Sequence, residues 1–523
     1  MDRRSFLKAG FSAGAFGAFH LASGQFSPTF AGLPAPALGR KTESEESKRI
    51  LVVLRLDGGN DGLNTVLPLD QYDNLANARG NILIPASKAL RLTNTVGLHP
   101  AMTGLHEAFM NGNLRIVQAV GYPNHNQSHF RSTDIWFTGS DSNQVLESGV
   151  LGRYLDGQFP NFPVGYPSAA KPHPPSIQIG STLFTLLQGS DAGLGMAIND
   201  PSSVYALQSN GLDAAPDTPA GHELTFLRQM ASQTRQYGDA LKATMSAAAT
   251  KSALYPATGN RLADQLKAVA RLIAGGLQTR VYVVSLGGFD THSAQVVESD
   301  TTTGKHADLL RQISVAITAF MDDLRLMGVE DRVVGITVSE FGRRILSNAS
   351  FGTDHGLAAP MMLFGAPVAG GITGVNPTIP AKVTSSNNVG MQYDFRSVYA
   401  SLLRDWLMVD KAECQRVLLK DFPGMDLIDA NFSGRPPGTV RFKFQVRQYD
   451  RQTTFSYNLE ESAPVNLTIF DLHGKTVRNV PGGTKSAGFH EAILDTRSLI
   501  AGRYFARLQV ASGSQQLGFD VFE

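Results

Sequence analysis

Residues 51–57 read Leu-Val-Val-Leu-Arg-Leu-Asp, an apolar run that ends in a carboxylate. Two later stretches end in the same way: residues 281–290 (VYVVSLGGFD) and residues 333–340 (VVGITVSE). Apolar, β-branched runs of this kind, separated by helical patterns, predict strands of a parallel sheet that is buried on both faces. Ligands bind outside the carboxyl ends of such strands, so we expect the three acids to meet at one edge of the sheet.

Histidines lie close to two of these acids. His292 follows Asp290 in Phe-Asp-Thr-His, and Thr353-Asp354-His355-Gly356 comes shortly after Glu340. Carboxylates and imidazoles that share one edge repel each other or are costly to desolvate unless a cation lies among them. The pattern therefore predicts a metal-centred hydrolytic site.

Two amphipathic segments alternate with the predicted strands. Residues 261–275 place apolar side chains on one helical face and end in glycines, and residues 308–327 repeat the pattern. This succession favours an α/β fold with a doubly wound, mostly parallel sheet. Residues 139–260 are richer in Pro, Ser, Gly and Ala, and we expect them to form insertions that cap the site.

The bulk composition limits the classes of function. A chain of 523 residues is long enough for one large domain with a smaller one appended. A net charge of +1 gives no electrostatic support for nucleic-acid binding. The single cysteine, Cys414, excludes an intramolecular disulfide and a thiolate-rich zinc site, so a metal must use mainly oxygen and nitrogen ligands.

The first residues carry an export pattern. Met1-Asp2-Arg3-Arg4-Ser5-Phe6-Leu7-Lys8 precedes a weakly apolar stretch, which resembles a twin-arginine signal. We expect residues 1–37 to be a signal and leader read by the twin-arginine export machinery, although a basic start before a buried helix is the alternative. No other run predicts a membrane span, so the mature protein is expected in the periplasm, at the cell surface or secreted.

The pattern of apolar and polar residues changes near residues 426–439, which we interpret as a linker. Beyond it, short alternating stretches at 440–446, 453–459, 465–472, 491–494 and 502–510 predict a small antiparallel sandwich. Turns are expected at His473-Gly474 and Pro481-Gly482-Gly483. The segment 457–504 resembles the immunoglobulin-like sorting or flagellar-hook-cap modules of secreted bacterial proteins. The ending 518–523 lacks a basic tail, so residues 440–523 are either a sorting signal or a domain that docks to a surface or partner.

Three motifs together resemble the DUF1501 family of twin-arginine-exported proteins. They are residues 56–64 (LDGGNDGLN), residues 339–344 (SEFGRR) and residues 353–356 (TDHG). That family is similar to the alkaline phosphatase and sulfatase superfamily. For residues 48–425 the resemblance implies a central sheet that carries two divalent metal ions and a hydroxyl nucleophile.

The resemblance also suggests roles around a first metal. Asp57 matches a metal ligand, although an Asp that caps a glycine turn is the structural alternative. Ser128, in the loop after residues 114–120, is the candidate nucleophile and a further ligand. His125 and His129 are candidates to tune Ser128 or to bind metal, and Arg131 is a candidate to hold two phosphoryl oxygens. A polar loop bonded to itself is the alternative.

A second metal is expected to be held by Asp290, His292 and His355. Asp290 and His292 are two residues apart, and alternate residues of an extended chain point the same way. Glu340 stands where many relatives carry an Asp-His pair, and would join the first metal, with Asp354 or Asp61 as additional ligands. So many oxygen ligands make Mg²⁺, Mn²⁺ or Ca²⁺ as suitable as Zn²⁺. Arg343 and Arg344 are candidates to neutralise a substrate anion, unless they form an ordinary solvated pair.

Several other functions are disfavoured. The segment around Ser128 lacks the proline of the sulfatase formylglycine motif, no Walker loop occurs, and the Gly-x-Ser-x-Gly at 10–14 lies in the export signal. The sequence thus predicts an exported metal-dependent hydrolase of phosphate or related esters, acting on a small-molecule or polymer substrate. The alternative is an inactive protein of the same fold that serves as a binding or cell-surface protein.

Overall fold

The N-terminal part of the chain forms a mixed α/β structure. The computed structural model describes residues 48–199, 216, 218–429, 442–449, 452–459, 462–471, 475–486, 488–510 and 513–521. The strands of this part are β1 (Ile50–Asp57), β2 (Val66–Pro68), β3 (Leu90–Arg91), β4 (Val96–Leu98), β5 (Leu114–Gly121), β6 (Ser176–Ile179), β7 (Met196–Ile198), β8 (Val281–Gly287), β9 (Val333–Val338), β10 (Arg343–Ser347), β11 (Thr353–His355), β12 (Ala359–Phe364), β13 (Gly371–Thr373) and β14 (Tyr393–Asp394). The helices are α1 (Gly62–Thr65), α2 (Tyr72–Arg79), α3 (Thr103–Met110), α4 (His129–Thr138), α5 (Val150–Gln158), α6 (Pro219–Ala247), α7 (Arg261–Ala274), α8 (Lys305–Leu326), α9 (Phe395–Ser401) and α10 (Lys411–Leu418).

The central sheet has nine strands in the order β13-β5-β12-β9-β1-β8-β6-β7, with β14 also paired to β5. Strand β1 is parallel to both of its neighbours, β8 and β9. Only β12 runs antiparallel to the strands beside it. The prediction of a largely parallel sheet is therefore confirmed, and the three apolar runs are adjacent strands whose carboxyl ends lie at one edge.

Both faces of the sheet are covered. In β1, Val52 and Leu54 pack in a cluster with side chains of α3, α7 and α8. Leu51 and Val53 pack in a second cluster with α4, α5, α9 and α10. Successive side chains of a strand point to opposite faces, so a continuous apolar run is what a strand between two helical layers requires.

The helices next to the site follow their sequence patterns closely. The predicted helix 261–275 is observed as α7, with the side chain of Asn260 capping its first turn and Gly275 at its end. The predicted helix 308–327 is observed as α8, which begins three residues earlier, at Lys305. Each helix leads directly into a strand of the sheet, as the alternation predicted.

The prediction for residues 139–260 is wrong in part. Strands β6 and β7 come from this segment and extend the central sheet beside β8. Ile177 and Ile179 of β6 are buried in the same apolar cluster as β1. Because small and polar residues surround these short strands, the sequence pattern did not indicate that β6 and β7 belong to the central sheet.

The C-terminal part contains two antiparallel sheets. The strands are β15 (Phe442–Tyr449), β16 (Gln452–Leu459), β17 (Ala463–Asp471), β18 (Thr476–Lys485), β19 (Gly488–Asp495), β20 (Gly502–Val510) and β21 (Gly513–Val521). Their orders are β15-β16-β19 and β18-β17-β20-β21, and buried side chains of both sheets belong to one apolar cluster. The turn predicted at Pro481-Gly482-Gly483 is wrong, because these residues lie within β18 at an irregularity in its register. The turn at His473-Gly474 lies outside the described residues.

The predicted export segment, residues 1–37, also lies outside the described residues. In the described part of the chain, no helix combines the length and the apolar character that crossing a bilayer requires.

Candidate metal centre

The predicted acids and histidines gather at the carboxyl edge of the central sheet. Asp57 ends β1, Asp290 follows β8, and Glu340 follows β9. Strand β12 is antiparallel to β9, so β12 begins at this same edge. His355 lies in the segment just before β12. Helix α4 opens with His129 after the loop that leaves β5.

Three imidazole rings face one carboxylate. The Nε2 atoms of His292 and His355 both lie 3.2 Å from Oδ1 of Asp290, and Nε2 of His129 lies 3.5 Å from it. Ligand atoms of His129, Asp290 and His355 all lie within 4.8 Å of one another. The predicted set of Asp290, His292 and His355 is thus brought together, and His129 joins it.

Two of the rings are held from behind by carboxylates. Nδ1 of His129 lies 2.9 Å from Oε1 of Glu340, and Nδ1 of His292 lies 3.1 Å from Oδ1 of Asp354. Partial burial acts to raise the pKa of Asp354, but hydrogen bonds from His292 and Asn348 outweigh it and hold that pKa below its usual range. An ionised carboxylate only accepts, so Nδ1 of His292 carries the proton.

The third ring is held by a backbone carbonyl. Nδ1 of His355 lies 2.8 Å from the carbonyl oxygen of Gln127, which cannot donate, so this Nδ1 is also the protonated nitrogen. Burial lowers the pKa of His355, and the positive charge of Arg343 acts in the same direction. His355 is therefore neutral near pH 7, with the lone pair of Nε2 directed at the cluster.

When both rings are neutral, these tautomers leave the Nε2 lone pairs of His292 and His355 facing each other. Nε2 of His292 lies 2.9 Å from Nε2 of His355, although the other nitrogen of each ring is already a donor. A divalent cation held by these rings and Asp290 would remove this repulsion. Histidines that donate the far ring nitrogen to a carboxylate or carbonyl are the usual arrangement around a bound metal. Three imidazole nitrogens and one carboxylate form a donor set that suits Zn²⁺ and related transition metals.

Glu340 is almost completely buried, and its two oxygens differ. Oε1 is close to His129 and also accepts a hydrogen bond of 2.8 Å from the backbone N–H of Gly58. Oε2 is buried without a hydrogen-bond partner among the described residues. A buried carboxylate oxygen is costly to leave unpaired, so this atom is an unusual feature of the site.

Arg343 lies beneath the cluster with a fully buried side chain. Its Nη2 donates to Oδ1 of Asp290 at 2.6 Å. Burial acts to raise the pKa of Asp290, but this hydrogen bond and the positive charge of Arg343 hold it below its usual range. The guanidinium also donates to backbone carbonyls of Gly58, Gly59, Phe289 and Thr353. Arg343 thus ties the ends of β1 and β8 to β11, which is a different role from the predicted binding of a substrate anion.

Asp57 is paired with an arginine of its own strand. Its Oδ1 accepts a hydrogen bond of 2.7 Å from Nη2 of Arg55, whose guanidinium lies over the rings of Phe137 and Phe184. Residues two apart in a strand share a face, so Arg55 and Asp57 meet each other. The predicted role of Asp57 as a ligand of a first metal remains a prediction.

Asp61 is hydrogen-bonded to residues outside the histidine cluster. Both of its oxygens accept from Nη1 of Arg79, at 3.0 and 2.8 Å, and Oδ2 also accepts from Nε2 of Gln295 at 2.6 Å. Burial acts to raise the pKa of Asp61, but Arg79 and its other partners lower it below the usual range. Asp61 stabilises the interior beside the site, and the structure does not bring it into the ligand cluster.

The loop before α4 contains the other predicted residues. Nε2 of His125 accepts from the backbone N–H of Tyr122, and the two rings stack with centroids 4.5 Å apart. Burial lowers the pKa of His125 to about 4. Ser128 is exposed, lies at the N-cap position of α4, and makes no side-chain capping bond. The hydroxyl of Ser128 is thus next in sequence to a metal-ligand candidate and is not used to hold the helix.

The two remaining arginines hold loops. Arg131 donates to Asp134 at 2.5 Å, and to backbone carbonyls of residues 141, 142 and 144. Arg344 donates to the carbonyl oxygens of His355 and Ser385. The binding of a phosphoryl group by Arg131 remains a prediction that this geometry does not favour.

The sequence marked Glu340 as a ligand and His129 and Asp354 as possible ones; in the structure the two carboxylates face the far ring nitrogens of His129 and His292. The signal for His129 was its place at the start of a helix that follows a strand of the sheet, directly after Ser128. The contacts of Glu340 and Asp354 with those ring nitrogens are a matter of side-chain orientation, which no spacing in the sequence reveals.

No curated protein matches the sequence significantly. Solved structures that match include a protein in the alkaline phosphatase superfamily from Vibrio parahaemolyticus, at 13% identity over 79% of this chain and 76% of that one, with a TM-score of 0.32. A Bacteroides thetaiotaomicron structure described with that organism's metabolism of multiple glycosaminoglycans, and marked 4S-sulf, matches at 8% identity over 90% of this chain and 89% of that one, with a TM-score of 0.34. A DUF3244 protein with an immunoglobulin-like β-sandwich from Bacteroides vulgatus matches at 13% identity, over 16% of this chain and 96% of that one, with a TM-score of 0.14. These TM-scores are too low to establish a shared fold or activity.

The sequence model of one family matches residues 47–411, which is well over half of the chain. That family is described as DUF1501, protein of unknown function. The matched span includes every residue of the metal-ligand cluster and ends before the linker and the C-terminal sheets. The chain belongs to the DUF1501 family.

Proposed function

We propose that this protein is an exported, metal-dependent hydrolase of phosphate or related esters. The observation that carries the proposal is the set of three imidazoles around Asp290, each with its far ring nitrogen held by an acceptor. His129, Asp290, His292 and His355 would hold the cation. When bound, a divalent cation in this ligand set supplies a Lewis acid that polarises a phosphoryl oxygen and stabilises negative charge that develops on oxygen.

The surrounding residues prepare the site for that chemistry. Glu340 and Asp354 hold the rings of His129 and His292 in one tautomer. Arg343 fixes the carboxylate of Asp290 from below. The ligands are only partly covered, with 47% of the Asp290 side chain and 45% of the His292 side chain exposed. An ester can therefore reach the cluster from solvent without a rearrangement of the core.

Ser128 is the proposed nucleophile. Its exposed hydroxyl is free of any capping bond and adjoins His129 in the chain. In the proposed reaction its oxygen attacks the phosphorus, the alcohol leaves, and water then hydrolyses the phosphoserine. Hydrolysis by direct attack of water is the competing route.

The purified protein should be tested for bound metal and for cleavage of chromogenic phosphomonoesters, phosphodiesters and sulfate esters, each with Zn²⁺, Mn²⁺, Mg²⁺ and Ca²⁺. We expect about one tightly held ion per chain and activity that a chelator removes. His355→Ala should lose both metal and activity. His490→Ala, in the C-terminal sheets, is the matched control and should lose neither.

Ser128→Ala separates the two routes. If Ser128 is the nucleophile, the variant binds metal normally and no longer turns over. A variant that still turns over would assign the attack to water. A wild-type protein that holds metal but cleaves none of the esters would contradict the proposed function and favour a binding protein.

Export through the twin-arginine route and a role in docking for the C-terminal sheets complete the proposal. The export pattern around Arg3 and Arg4 supports the first, and a separate apolar core shared by two antiparallel sheets supports a sandwich domain. Replacing Arg3 and Arg4 with lysine should leave the unprocessed protein in the cytoplasm. Normal export of that double variant would contradict the proposed route.

A further inference from the structure

The side chain of Phe130 projects into solvent next in the chain to His129, a proposed metal ligand. Phe130 is 91% exposed and directly follows His129 in the first turn of α4. Among the exposed large hydrophobic side chains of the described residues, it is the most exposed and the only phenylalanine. By contrast, Phe341, whose ring lies 4.9 Å from that of His129, is 1% exposed.

A single exposed apolar residue is common on protein surfaces and by itself indicates nothing. The position of Phe130 is what distinguishes it. The same helical turn directs His129 toward Asp290 and follows the N-cap residue Ser128, so a group bound at the cluster lies beside this turn. The partly exposed ligands Asp290, His292 and Asp354 show that the cluster opens to solvent.

We infer that Phe130 is a platform on which a ring of the substrate stacks, so that the ester cleaved here carries a ring next to its phosphoryl group. This inference rests on the proposed function. An aromatic face offers a large apolar surface and favours offset or edge contacts with another ring. Stacking would withdraw both surfaces from water while the anionic group lies at the metal centre. Phe130 then selects ring-bearing esters over small aliphatic ones.

Two non-hydrolysable probes test this directly: phenylphosphonate and methylphosphonate, titrated into the metal-loaded protein by calorimetry. The wild-type protein is expected to bind phenylphosphonate about fivefold more tightly than methylphosphonate. Phe130→Ala should bind the two equally, with its affinity for methylphosphonate unchanged. Phe130→Tyr should keep the preference, because it keeps the ring.

Ile500→Ala is the matched control, since Ile500 is 84% exposed and belongs to the C-terminal part of the chain. It should leave the preference as it is in the wild-type protein. If the Phe130→Ala variant still prefers phenylphosphonate, the inference is overturned. The proposed function would still stand in that case, provided that the wild-type protein cleaves esters. Loss of the preference in a protein that cleaves no ester would support the ring platform and overturn the proposed function alone. A wild-type protein that binds neither phosphonate would overturn the inference regardless of its activity.

Discussion

Each histidine of the cluster uses its two ring nitrogens for different purposes. In His292 the far nitrogen faces Asp354 and the near nitrogen faces Asp290. His355 has the same division, with the carbonyl oxygen of Gln127 behind it. The acceptors behind the rings thus decide which nitrogen is free to bind a cation.

Asp354→Asn tests this division of roles. Asp354 is half-exposed, so the change should be tolerated by the fold. An amide holds the imidazole proton less strongly than a carboxylate, so metal affinity should fall by about ten- to a hundredfold. Competition with a chromogenic chelator measures it. Asp308→Asn removes an exposed carboxylate paired with Arg311 and should change nothing; equal losses in both variants would contradict the role of Asp354.

A buried histidine near the site makes the stability of the core depend on pH. Burial lowers the pKa of His306 to about 4 from an ordinary value of 6.5, although the charge of Asp61 opposes the shift. The unfolded chain takes up this proton near pH 6.5 and the folded chain only near pH 4. The free energy of unfolding is therefore highest, as far as His306 is concerned, above pH 6.5, and it decreases as the pH falls from 6.5 toward 4.

We expect the free energy of unfolding to fall by about 3 kcal/mol between pH 7 and pH 4 on account of His306. Urea unfolding followed by tryptophan fluorescence measures it, because Trp136 and Trp406 are both buried in the α/β part. His306→Gln cannot titrate and should flatten this pH dependence. An unchanged slope in that variant would refute the assignment to His306.

The direction of a side chain was the hardest feature to predict from sequence. Asp57 does reach the expected edge of the sheet, but it meets Arg55 instead of the histidines. The pairing was readable, because residues two apart in a strand lie on one face. His129, in contrast, depends on the course of the loop that leaves β5, which local sequence patterns do not determine.

The turns between strands bring the ligands together as much as the strands do. After β1 the backbone turns at Gly58, which has a φ of 120°. A Cβ at Gly58 would lie 2.8 Å from the carbonyl carbon of Phe289 and closer still to the backbone nitrogen of Asp290. Only glycine allows the end of β1 to approach the residue that carries the central carboxylate.

Gly58→Ala should therefore displace Asp290 and weaken metal binding strongly, in addition to the strain of a positive φ. Gly276→Ala provides the control, since Gly276 has a φ of 94° but nothing within 4 Å of its Cβ position. Metal content and thermal unfolding of both variants separate the two effects. Equal loss of metal from both would show that backbone strain, and not the close approach, matters at Gly58.

Strands were predictable from the sequence where their apolar runs were long, and the prediction missed strands whose runs were short. Strands β1, β8 and β9 each bury a continuous run, so the sequence shows them plainly. β6 and β7 have only four and three residues and lie in a segment rich in small residues. β18 contains Pro481, Gly482 and Gly483, which usually mark a turn, and the irregular register with β17 accommodates them.

The chain has separate apolar cores. Among the described residues, the two clusters that flank the central sheet draw on residues up to Ile428, and the C-terminal cluster draws on residues from Val446 onward. The proposed ligands all belong to the first part. Each part buries enough apolar surface of its own to be a candidate for independent folding.

A chain that ends at residue 429 should keep the metal centre. We expect it to bind the same amount of metal as the full chain, and to show the same tryptophan-detected unfolding midpoint within about 2 °C. Failure of the shortened chain to hold metal would mean that the C-terminal sheets complete the site.

Anomalous diffraction from crystals of the metal-loaded protein tests the proposed metal centre most directly. We expect one peak within coordination distance of Nε2 of His129, His292 and His355 and of the carboxylate of Asp290, with Glu340 and Asp354 outside it. A peak between Asp57 and Ser128 alone, or a metal-loaded crystal without a peak at the three histidines, would contradict the assignment.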